Sequence, residues 1–511
     1  MAKWTEGYDV DVGYTYGYIR ELSTTRVALA FLNAGLVPPN IGVACELGFG
    51  QGITINIHAA STSTEWHGTD FNPAQAGFAQ ELAASSKANV QLFDEAFNEF
   101  CSRDDLPDFD YIGLHGIWSW VSDANRAVIV DFVRRKLKVG GVLYVGYNTQ
   151  PGWAAMLPMR DLMALHAEHM SAEGDGILGR VDSALSFIDR LIATNPLFTQ
   201  ANPLVVERLS KLKESNRLYV AHEYFNGHWK PMSFAEMNEW MSPAKVQWAA
   251  SANYADTVDQ INLSKEQQVL VSSIKDPMFR QSVRDFCVNQ QFRKDYWVKG
   301  ARKMTPLDQA EAQRLQRVIL VVPRMDISLQ VPGNVGDVVL LESVYAPILD
   351  VLADYSVKSL SQLEAALVGK HISFAQLLQA VIMLISVGYV MPVQDELLVE
   401  KARSTCKALN AKLLRTSRSM MEITVLASPV VGGGVPCGRI PQLFLLALSE
   451  GHKKPADWAR FAWGILGIQN QRLIMADKTL ETPEENLAEL TAQAADFANK
   501  QLPILKALQI I

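Results

Sequence analysis

Short apolar segments alternate with longer segments of helical periodicity over the first 150 residues of the chain. The apolar segments cover residues 42–47, 65–70, 89–94, 109–116 and 142–148. A helix that starts near residue 24 and ends at Gly35 precedes the first of these segments. Asn72-Pro73 opens another helix after the second segment, and Ser122 caps a third after the fourth. Strands that alternate with helices in this way predict an α/β fold with a doubly wound parallel sheet.

Beyond the fifth predicted strand the pattern becomes mainly helical. Residues 154–215 are interpreted as a helical insertion. Residues 217–225 and 245–251 then return to strand character around a helix that begins near Ser233. We expect these two strands to close the sheet as a pair, so that residues 1–263 form one domain.

The second half of the chain divides into three further predicted regions. Residues 264–325 form a mixed connector, 326–395 resemble a winged helix, and 396–511 are mainly helical. The third helix of the winged-helix-like region, 373–388, contains no Arg or Lys, which a DNA-reading helix needs. We therefore expect that region to serve interaction or dimerisation. Thr482-Pro483-Glu484-Glu485 predicts a capping-box start for the last helix.

Composition narrows the class of protein. The chain has 511 residues, 49% hydrophobic and 20% charged, with a net charge of −7, which predicts two to four globular domains and argues against broad nucleic-acid binding. Its five cysteines form no CxxC pair, so neither a zinc site nor a disulfide framework is expected. With no apolar signal segment at the start and no run of 18 apolar residues, we expect a cytoplasmic protein without a membrane span.

The segment Glu46-Leu47-Gly48-Phe49-Gly50-Gln51-Gly52 lies between the first predicted strand and a helix. Glycines there let the backbone turn sharply and bring a ligand against main-chain N–H groups. A phosphate-binding loop would need Gly-Lys-Ser/Thr where the chain has Gly52-Ile53-Thr54, and a dinucleotide fingerprint would need GxGxxG. The pattern E-x-G-x-G-x-G is that of the Rossmann-like class I methyltransferases, which use S-adenosylmethionine (SAM) and release S-adenosylhomocysteine (SAH). A plain tight turn is the alternative for the loop considered alone.

Acidic residues end the next two predicted strands. Asp70 lies 24 positions beyond Glu46, where a carboxylate can accept hydrogen bonds from both ribose hydroxyls. A helix cap is the alternative role for such an Asp, but Asn72 already fills it. Asp94, or Glu95 beside it, can contact the adenine edge. The predicted cofactor-binding residues are Tyr18, Glu46, Gly48, Phe49, Gly50, Gly52, Asp70, Phe71, Asp94, Glu95, Ala96 and His115.

The ends of the fourth and fifth predicted strands supply the candidate acceptor residues, because a ligand of an open α/β sheet binds at its carboxyl edge. The candidate catalytic residues are His115, Trp118, Tyr147, Asn148 and Trp153, with Trp120 beside them. Each has a structural alternative: the tryptophans can pack a helix onto the sheet, the histidine can be buried and bonded to backbone, and the asparagine can be a turn residue.

Three other groups have two interpretations each. The tyrosines of the N-terminal segment either cover the cofactor as a lid or dock that segment onto the domain; they are Tyr8, Tyr14, Tyr16 and Tyr18. His222-Glu223 either enters the site as a base or orienting pair or has a structural role. His166-x-x-His169 has the spacing of a metal pair on a helix, but no third ligand motif accompanies it, so a solvated helix face is expected and no metal is predicted.

Four segments resemble a known family. They are Leu114–Trp120 (LHGIWSW), Tyr147–Trp153 (YNTQPGW), residues 222–231 (HEYFNGHWKP) and 288–302 (VNQQFRKDYWVKGAR). Together they resemble bacterial SAM-dependent methyltransferases with a methyltransferase regulatory domain, and the rickettsial protein-lysine methyltransferases that modify an outer-membrane protein are similar in their N-terminal part. The resemblance covers residues 8 to about 302 well. That family often has Gly-Cys-Gly in the loop where this chain has Gly48-Phe49-Gly50.

The resemblance implies methyl transfer from SAM to an amine, with a protein lysine as one acceptor. Two alternatives stay open from the residues: transfer to a hydroxyl or nitrogen of a small metabolite or glycan, and a SAM-binding regulatory protein without turnover. An O-methyltransferase would need a base beside the hydroxyl, for which His115 and His222 are candidates. The expected partners are a protein or small-molecule acceptor and, through the C-terminal regions, a second copy of the chain in a homodimer.

Overall fold

A seven-stranded sheet organises the first 300 residues. The computed structural model describes residues 13–172, 174–475 and 477–511. The strands are β1 (Val43–Leu47), β2 (Glu65–Thr69), β3 (Val90–Phe93), β4 (Phe109–His115), β5 (Leu137–Asn148), β6 (Val246–Ser251) and β7 (Phe292–Lys299). Their order is β3-β2-β1-β4-β5-β7-β6, with β1 to β5 parallel and β7 antiparallel to both of its neighbours. The predicted doubly wound α/β sheet is confirmed.

One helix precedes β1 and others connect the parallel strands, and all but the short helix after β3 lie at predicted positions. They are α1 (Thr24–Asn33), α2 (Ile53–Ser61), α3 (Pro73–Ser86), α4 (Phe97–Phe100) and α5 (Asp123–Lys136). Asn72 caps α3 by accepting a 3.0 Å hydrogen bond from the Ala74 N–H, and Ser122 caps α5 through the Asn125 N–H at 3.2 Å. These caps satisfy helix N–H groups that have no partner within the helix, which is why local sequence located both helix starts.

The segment interpreted as an insertion is helical and has its own core. Its helices are α6 (Leu157–His169), α7 (Gly176–Ala193), α8 (Leu197–Ala201) and α9 (Pro203–Glu214). Buried apolar side chains from α6, α7 and α9, with Trp153 and Tyr224, form a cluster separate from the core of the sheet.

The predicted strand over residues 217–225 is wrong, because this segment is the helix α10 (Arg217–Tyr224). The Asn216 side chain caps it by accepting from the Leu218 N–H at 2.8 Å. The strand predicted at 245–251 exists as β6, but its partner is β7, which the sequence assigned to the connector. The boundary at residue 263 stays a prediction, although the sheet itself continues past it.

The connector and the winged-helix-like region follow. Their helices are α11 (Phe234–Met241), α12 (Asp259–Asn262), α13 (Lys265–Ser273), α14 (Pro277–Cys287), α15 (Pro306–Leu315), α16 (Glu342–Leu352), α17 (Leu360–Ala366) and α18 (Phe374–Ser386). The strands are β8 (Arg317–Leu320), β9 (Gln330–Val331), β10 (Val338–Val339), β11 (Lys358–Ser359) and β12 (Val390–Val393). Three helices, α16 to α18, lie in the region that was predicted to resemble a winged helix, beside the small sheet β11-β8-β12. The strand β8 of this sheet belongs to the residues predicted as the connector.

The C-terminal region packs against α2, the helix that follows the glycine loop. It contains the helices α19 (Glu396–Thr416), α20 (Arg439–Ser449), α21 (Pro455–Ile468) and α22 (Pro483–Ala507), and the strands β13 (Val425–Ser428), β14 (Gly433–Pro436), β15 (Ile474–Met475) and β16 (Lys478–Thr479). Helix α19 packs against α2 and α3, and the hairpin β13–β14 packs against α2. All nine residues of α2 are therefore buried. Within the described ranges, no helix is both long and apolar enough to cross a membrane.

Candidate functional site

A cavity of about 260 Å³ lies at the carboxyl end of β1, β2 and β4. One wall is the glycine loop and the residues that follow β2 and β3. The opposite wall comes from the turn after β4 and from α10. The N-terminal residues 13–19, here called the strap, run along its edge without regular structure. The carboxyl edge of an open α/β sheet is where ligands of such folds bind.

The glycine loop has a backbone conformation that favours glycine at three positions. Gly48, Gly50 and Gly52 have φ values of 71°, 57° and 69°. A Cβ at Gly52 would lie 2.3 Å from the Cβ of Ala79, so α2 and α3 approach each other through this glycine. The loop thus leaves main-chain groups facing the cavity, and the helix α2 begins directly behind it.

Asp70 fixes the loop through its carboxylate. Oδ2 accepts a 2.8 Å hydrogen bond from the Gly50 N–H, and Oδ1 accepts one of 3.0 Å from the Asn72 N–H. Burial raises the pKa of Asp70 to about 6, although both backbone donors oppose the rise. The structure brings Asp70 and Phe71 into the cavity wall together with the loop residues Glu46, Gly48, Phe49, Gly50 and Gly52.

Glu46 is a second buried carboxyl in the same wall. Its side chain is only 4% exposed, and the described residues offer no hydrogen-bond partner to Oε2. Burial, and secondarily the charge of Asp70, raise the pKa of Glu46 to about 8. A cationic group in the cavity would favour the ionised form of this carboxyl.

The segment after β3 contributes Glu95, Ala96 and Phe97 to the cavity but not Asp94, whose side chain is exposed. The chain turns after β3 because the Glu95 carbonyl accepts a hydrogen bond from the Thr69 hydroxyl, which draws residues 95–97 toward β2. The Glu95 carboxylate pairs with Arg103 at 2.6 Å. The structure therefore does not bring Asp94 to the place where the sequence put an adenine contact.

Of the four tyrosines considered for a lid, Tyr14 lies at the cavity, whereas Tyr18, the one predicted to bind the cofactor, does not. Tyr14 lines the cavity and packs edge-on against His222, with ring centroids 5.2 Å apart. Tyr18 turns away from the cavity toward the C-terminal hairpin, where its hydroxyl accepts from the Gly434 N–H at 2.7 Å. Tyr8 lies outside the described residues.

His115 and Trp120 are the acceptor candidates that line the cavity. The Nδ1 atom of His115 lies 2.7 Å from the Tyr144 hydroxyl, and burial lowers the pKa of this histidine to about 4. The indole N–H of Trp120 is buried without a hydrogen-bond partner among the described residues. Asn148 is buried at the end of β5 behind this surface, where its main-chain N–H donates to the Ser119 hydroxyl at 2.8 Å.

The cavity does not include Trp118, Tyr147 or Trp153. The Trp118 indole N–H contacts Met232 Sδ at 3.2 Å in the core below the sheet. The Tyr147 hydroxyl donates to Asp295 in the same core. Trp153 packs in the core of the insertion. The turn Trp118–Trp120 has three residues per turn, so its side chains point about 120° apart and the two tryptophans face different sides. Trp120 is the one that lines the cavity.

Helix α10 supplies a polar wall that the sequence analysis did not recognise as one face. Tyr219, His222, Glu223 and Asn226 line the cavity, with the last just beyond the helix end. Their spacing of i, i+3, i+4 and i+7 is that of one helical face, and this was the available signal. Burial raises the pKa of Glu223 to about 7, and the neighbouring Asn148 side chain works against the rise.

His166 and His169 lie on α6, where the His166 ring stacks on Phe187 with centroids 4.8 Å apart. Neither residue lines the cavity. Over the described ranges, no group of three or more His, Cys, Asp or Glu side chains is arranged to hold a metal ion.

Comparisons with known proteins agree with this architecture. A family model described as the predicted methyltransferase regulatory domain matches residues 216–299, from α10 to the end of β7. An uncharacterized protein of Synechocystis sp. is 39% identical over 512 residues, covering 99% of both chains. An uncharacterized protein of Rickettsia prowazekii is 30% identical over 196 residues, covering 37% of this chain and 76% of the other.

A solved structure has the same fold over nearly the whole length. PKMT2 from Rickettsia typhi, in complex with AdoHcy, superposes with a TM-score of 0.67 and 17% identity over 97% of this chain and 99% of that one. A second structure of PKMT2 from Rickettsia typhi superposes with a TM-score of 0.69 and 18% identity. The chain belongs to one family with the Synechocystis protein, carries the predicted methyltransferase regulatory domain, and has the class I methyltransferase fold of PKMT2.

Proposed function

We propose that the chain transfers the methyl group of SAM to an amine nitrogen, with a protein lysine side chain as the favoured acceptor, and releases SAH. The fold match to PKMT2 in complex with AdoHcy supports the cofactor, and the chemistry of the cavity supports the acceptor. Five free cysteines, four of them buried, are consistent with a reducing compartment, and we place the enzyme in the cytoplasm on that basis.

The residues of the cofactor wall fit SAM. The cradle at Gly50 has no room for a side chain, because a Cβ there would lie 3.1 Å from the Tyr14 ring, and it leaves the loop backbone open to a ligand. Asp70 would accept hydrogen bonds from ribose hydroxyls, and the buried Glu46 carboxyl, with its raised pKa, would gain from a nearby cation. The bound cofactor supplies an activated methyl group on a sulfonium sulfur.

The observation that carries the choice of acceptor is the position of Glu223 in the wall of the cavity that the glycine loop also lines. Its carboxyl lines the same cavity and has a pKa of about 7. Near neutral pH a large share of it is therefore ionised, and this carboxylate can attract a cation and accept a proton. A carboxylate attracts an ammonium group, and the rings of Trp120 and Tyr219 provide faces that hold a cation. A hydroxyl acceptor would gain from the base but not from the attraction of the carboxylate and the ring faces for a cation, so the arrangement favours an amine.

The cavity residues near the proposed acceptor position have different roles in the transfer. Glu223 orients the incoming ammonium and takes one of its protons, which leaves the nitrogen lone pair free to attack. His115 does not act as the base in this scheme, because burial lowers its pKa to about 4, which makes it a weak proton acceptor, and its Nδ1 atom is engaged by Tyr144. Tyr14 and Trp120 exclude water, which removes hydration from the reacting groups.

The test is a methyl-transfer assay on the full chain with labelled SAM. The acceptors are a lysine-rich protein, the same protein with its lysines acetylated, a set of small amines and a set of polyols. Transfer to the lysine-rich protein that acetylation abolishes supports the proposal. Transfer only to polyols gives the base-dependent O-methyltransferase, and binding of SAH with no transfer to any acceptor gives a regulatory protein.

A further inference from the structure

The strap joins the cavity to the C-terminal region along a single extended segment. Its odd-numbered residues from Thr15 to Ile19 line the cavity. Tyr16 packs edge-on against Phe78, and Tyr18 packs edge-on against His58. From Thr15 to Ile19, one side of the strap therefore faces the cavity and the other faces α2, α3 and the C-terminal hairpin. Tyr14, at the start of the strap, lines the cavity as well.

Tyr14 is the contact between the strap and the reacting end of the site. Its ring lies over Gly50, its carbonyl accepts from the Gln51 side chain at 3.3 Å, and its ring also packs against His222. Tyr14 therefore contacts both the cofactor loop and α10. A small shift of the strap would open or close the cavity between those two walls.

Tyr18 is the contact between the strap and the C-terminal region. Its hydroxyl accepts from the Gly434 N–H at 2.7 Å and lies 3.0 Å from His58 Nε2. Burial lowers the pKa of His58 to about 3, so the imidazole is neutral and its Nε2 can accept the tyrosine proton. One hydroxyl thus connects the strap, the helix behind the cofactor loop, and β14.

The strap between these two tyrosines is held in register. The Ile19 N–H donates to the hydroxyl of Thr54, in the first turn of α2, at 3.0 Å. On the C-terminal side, the tyrosine ring has space only because glycines lie beside it: a Cβ at Gly433 would be 2.8 Å from the Tyr18 hydroxyl oxygen. A change in β14 would therefore be transmitted to the strap by direct contact.

We propose that Tyr18 is a positioning residue through which the C-terminal region holds Tyr14 over the cofactor, so that the hairpin β13–β14 sets the affinity and release rate of SAM and SAH. The identity of the ligand rests on the proposed function. The role of Tyr18 is exerted through the strap and not by contact with the ligand, because its side chain does not line the cavity and contacts His58 and Gly434 instead.

The experiment uses the full chain, SAH as the probe, and three single variants. Tyr18→Phe removes the shared hydroxyl, Gly433→Ala pushes on it from the C-terminal side, and Tyr16→Phe is the matched control on the same strap. Calorimetry gives the Kd for SAH and stopped-flow displacement gives its release rate. Hydrogen exchange of residues 13–19 provides a readout that does not depend on the ligand.

We expect Tyr18→Phe and Gly433→Ala each to raise the Kd and release rate about threefold to tenfold, with faster exchange in the strap, while Tyr16→Phe resembles the wild type. In the double variant the two effects should not add, since the hydroxyl that Gly433→Ala displaces is already absent. A wild-type chain that fails to bind SAH contradicts the proposed function. Normal binding of SAH by Tyr18→Phe, in a wild-type background that does bind, overturns the inference alone.

Discussion

The carboxylate of Asp70 accepts a 2.8 Å hydrogen bond from the main-chain N–H of Gly50, so the acid at the end of β2 holds the loop that follows β1. The two strands are parallel neighbours in the sheet, which brings their carboxyl ends together. The same carboxyl group is thus both a support for the loop and a candidate acceptor for ribose hydroxyls.

We expect Asp70→Asn to weaken SAH binding by at least tenfold, because the amide nitrogen cannot accept and a charge-assisted hydrogen bond contributes about 1.5–3 kcal/mol. Since burial raises the pKa of Asp70 to about 6, wild-type affinity should be full above that pH and fall as the pH is lowered through it. Asp94→Asn, at an exposed acid outside the cavity, is the control. Calorimetry from pH 5 to 8 measures both effects, and equal loss in the two variants would contradict the ribose assignment.

Substitutions at two glycines of the loop should affect different properties, ligand binding at Gly50 and stability at Gly52. Gly50→Ala places a Cβ 3.1 Å from the Tyr14 ring at the cavity, so the chain should fold while SAH affinity drops. Gly52→Ala places a Cβ 2.3 Å from Ala79 between two buried helices, so the melting temperature should fall by several degrees. Thermal unfolding and SAH titration of both variants give the comparison. The reverse pattern would mean that the loop does not face the ligand.

Glu223→Gln should lower methyl transfer to an amine by about tenfold or more and leave SAH affinity unchanged. In the wild type, kcat/KM should rise with pH through about 7 as Glu223 ionises, in addition to the rise from the amine itself. The variant should lose that lower transition. Glu207→Gln, at a surface glutamate paired with Lys211, serves as the control. An unaltered pH profile in Glu223→Gln would remove this residue from the mechanism.

The two tryptophans of the turn after β4 should behave differently. Trp118 is fully buried, so Trp118→Ala should destabilise the fold by about 3–5 kcal/mol. Trp120→Ala should keep most of the stability and lose about tenfold in turnover, because its ring faces the acceptor side of the cavity. Urea unfolding and initial rates measure the two properties. A selective loss of turnover in Trp118→Ala would instead favour the placement expected from sequence.

The winged-helix-like region should not bind DNA. Its third helix, α18, contains neither Arg nor Lys, and eight of its residues are buried against the rest of the protein. A recognition helix must be free to enter the major groove and needs cationic side chains for phosphates. Fluorescence anisotropy of the full chain with duplex DNA at low salt should show no saturable binding. Tight binding that weakens steeply with salt would overturn this prediction.

Local sequence determined the elements whose signals are themselves local. The caps at Asn72 and Ser122, and the glycine loop with its left-handed conformations, depend on hydrogen bonds and backbone sterics within a few residues. The alternation of strands and helices could be predicted from the spacing of hydrophobic residues along the chain. These features were sufficient for the fold class, and for the position of the loop and Asp70 in one wall of the cavity.

Only the tertiary structure decided which side chains face that cavity. Trp118 and Trp120 have the same local context, yet the packing of the turn against Met232 buries the first and leaves the second at the cavity. The segment 217–225 fits both strand and helix patterns, and its packing as α10 places Glu223 in the wall of the cavity that the loop lines. Orientation toward a cavity depends on contacts between residues far apart in sequence, which the hydrophobic pattern of a single segment does not specify.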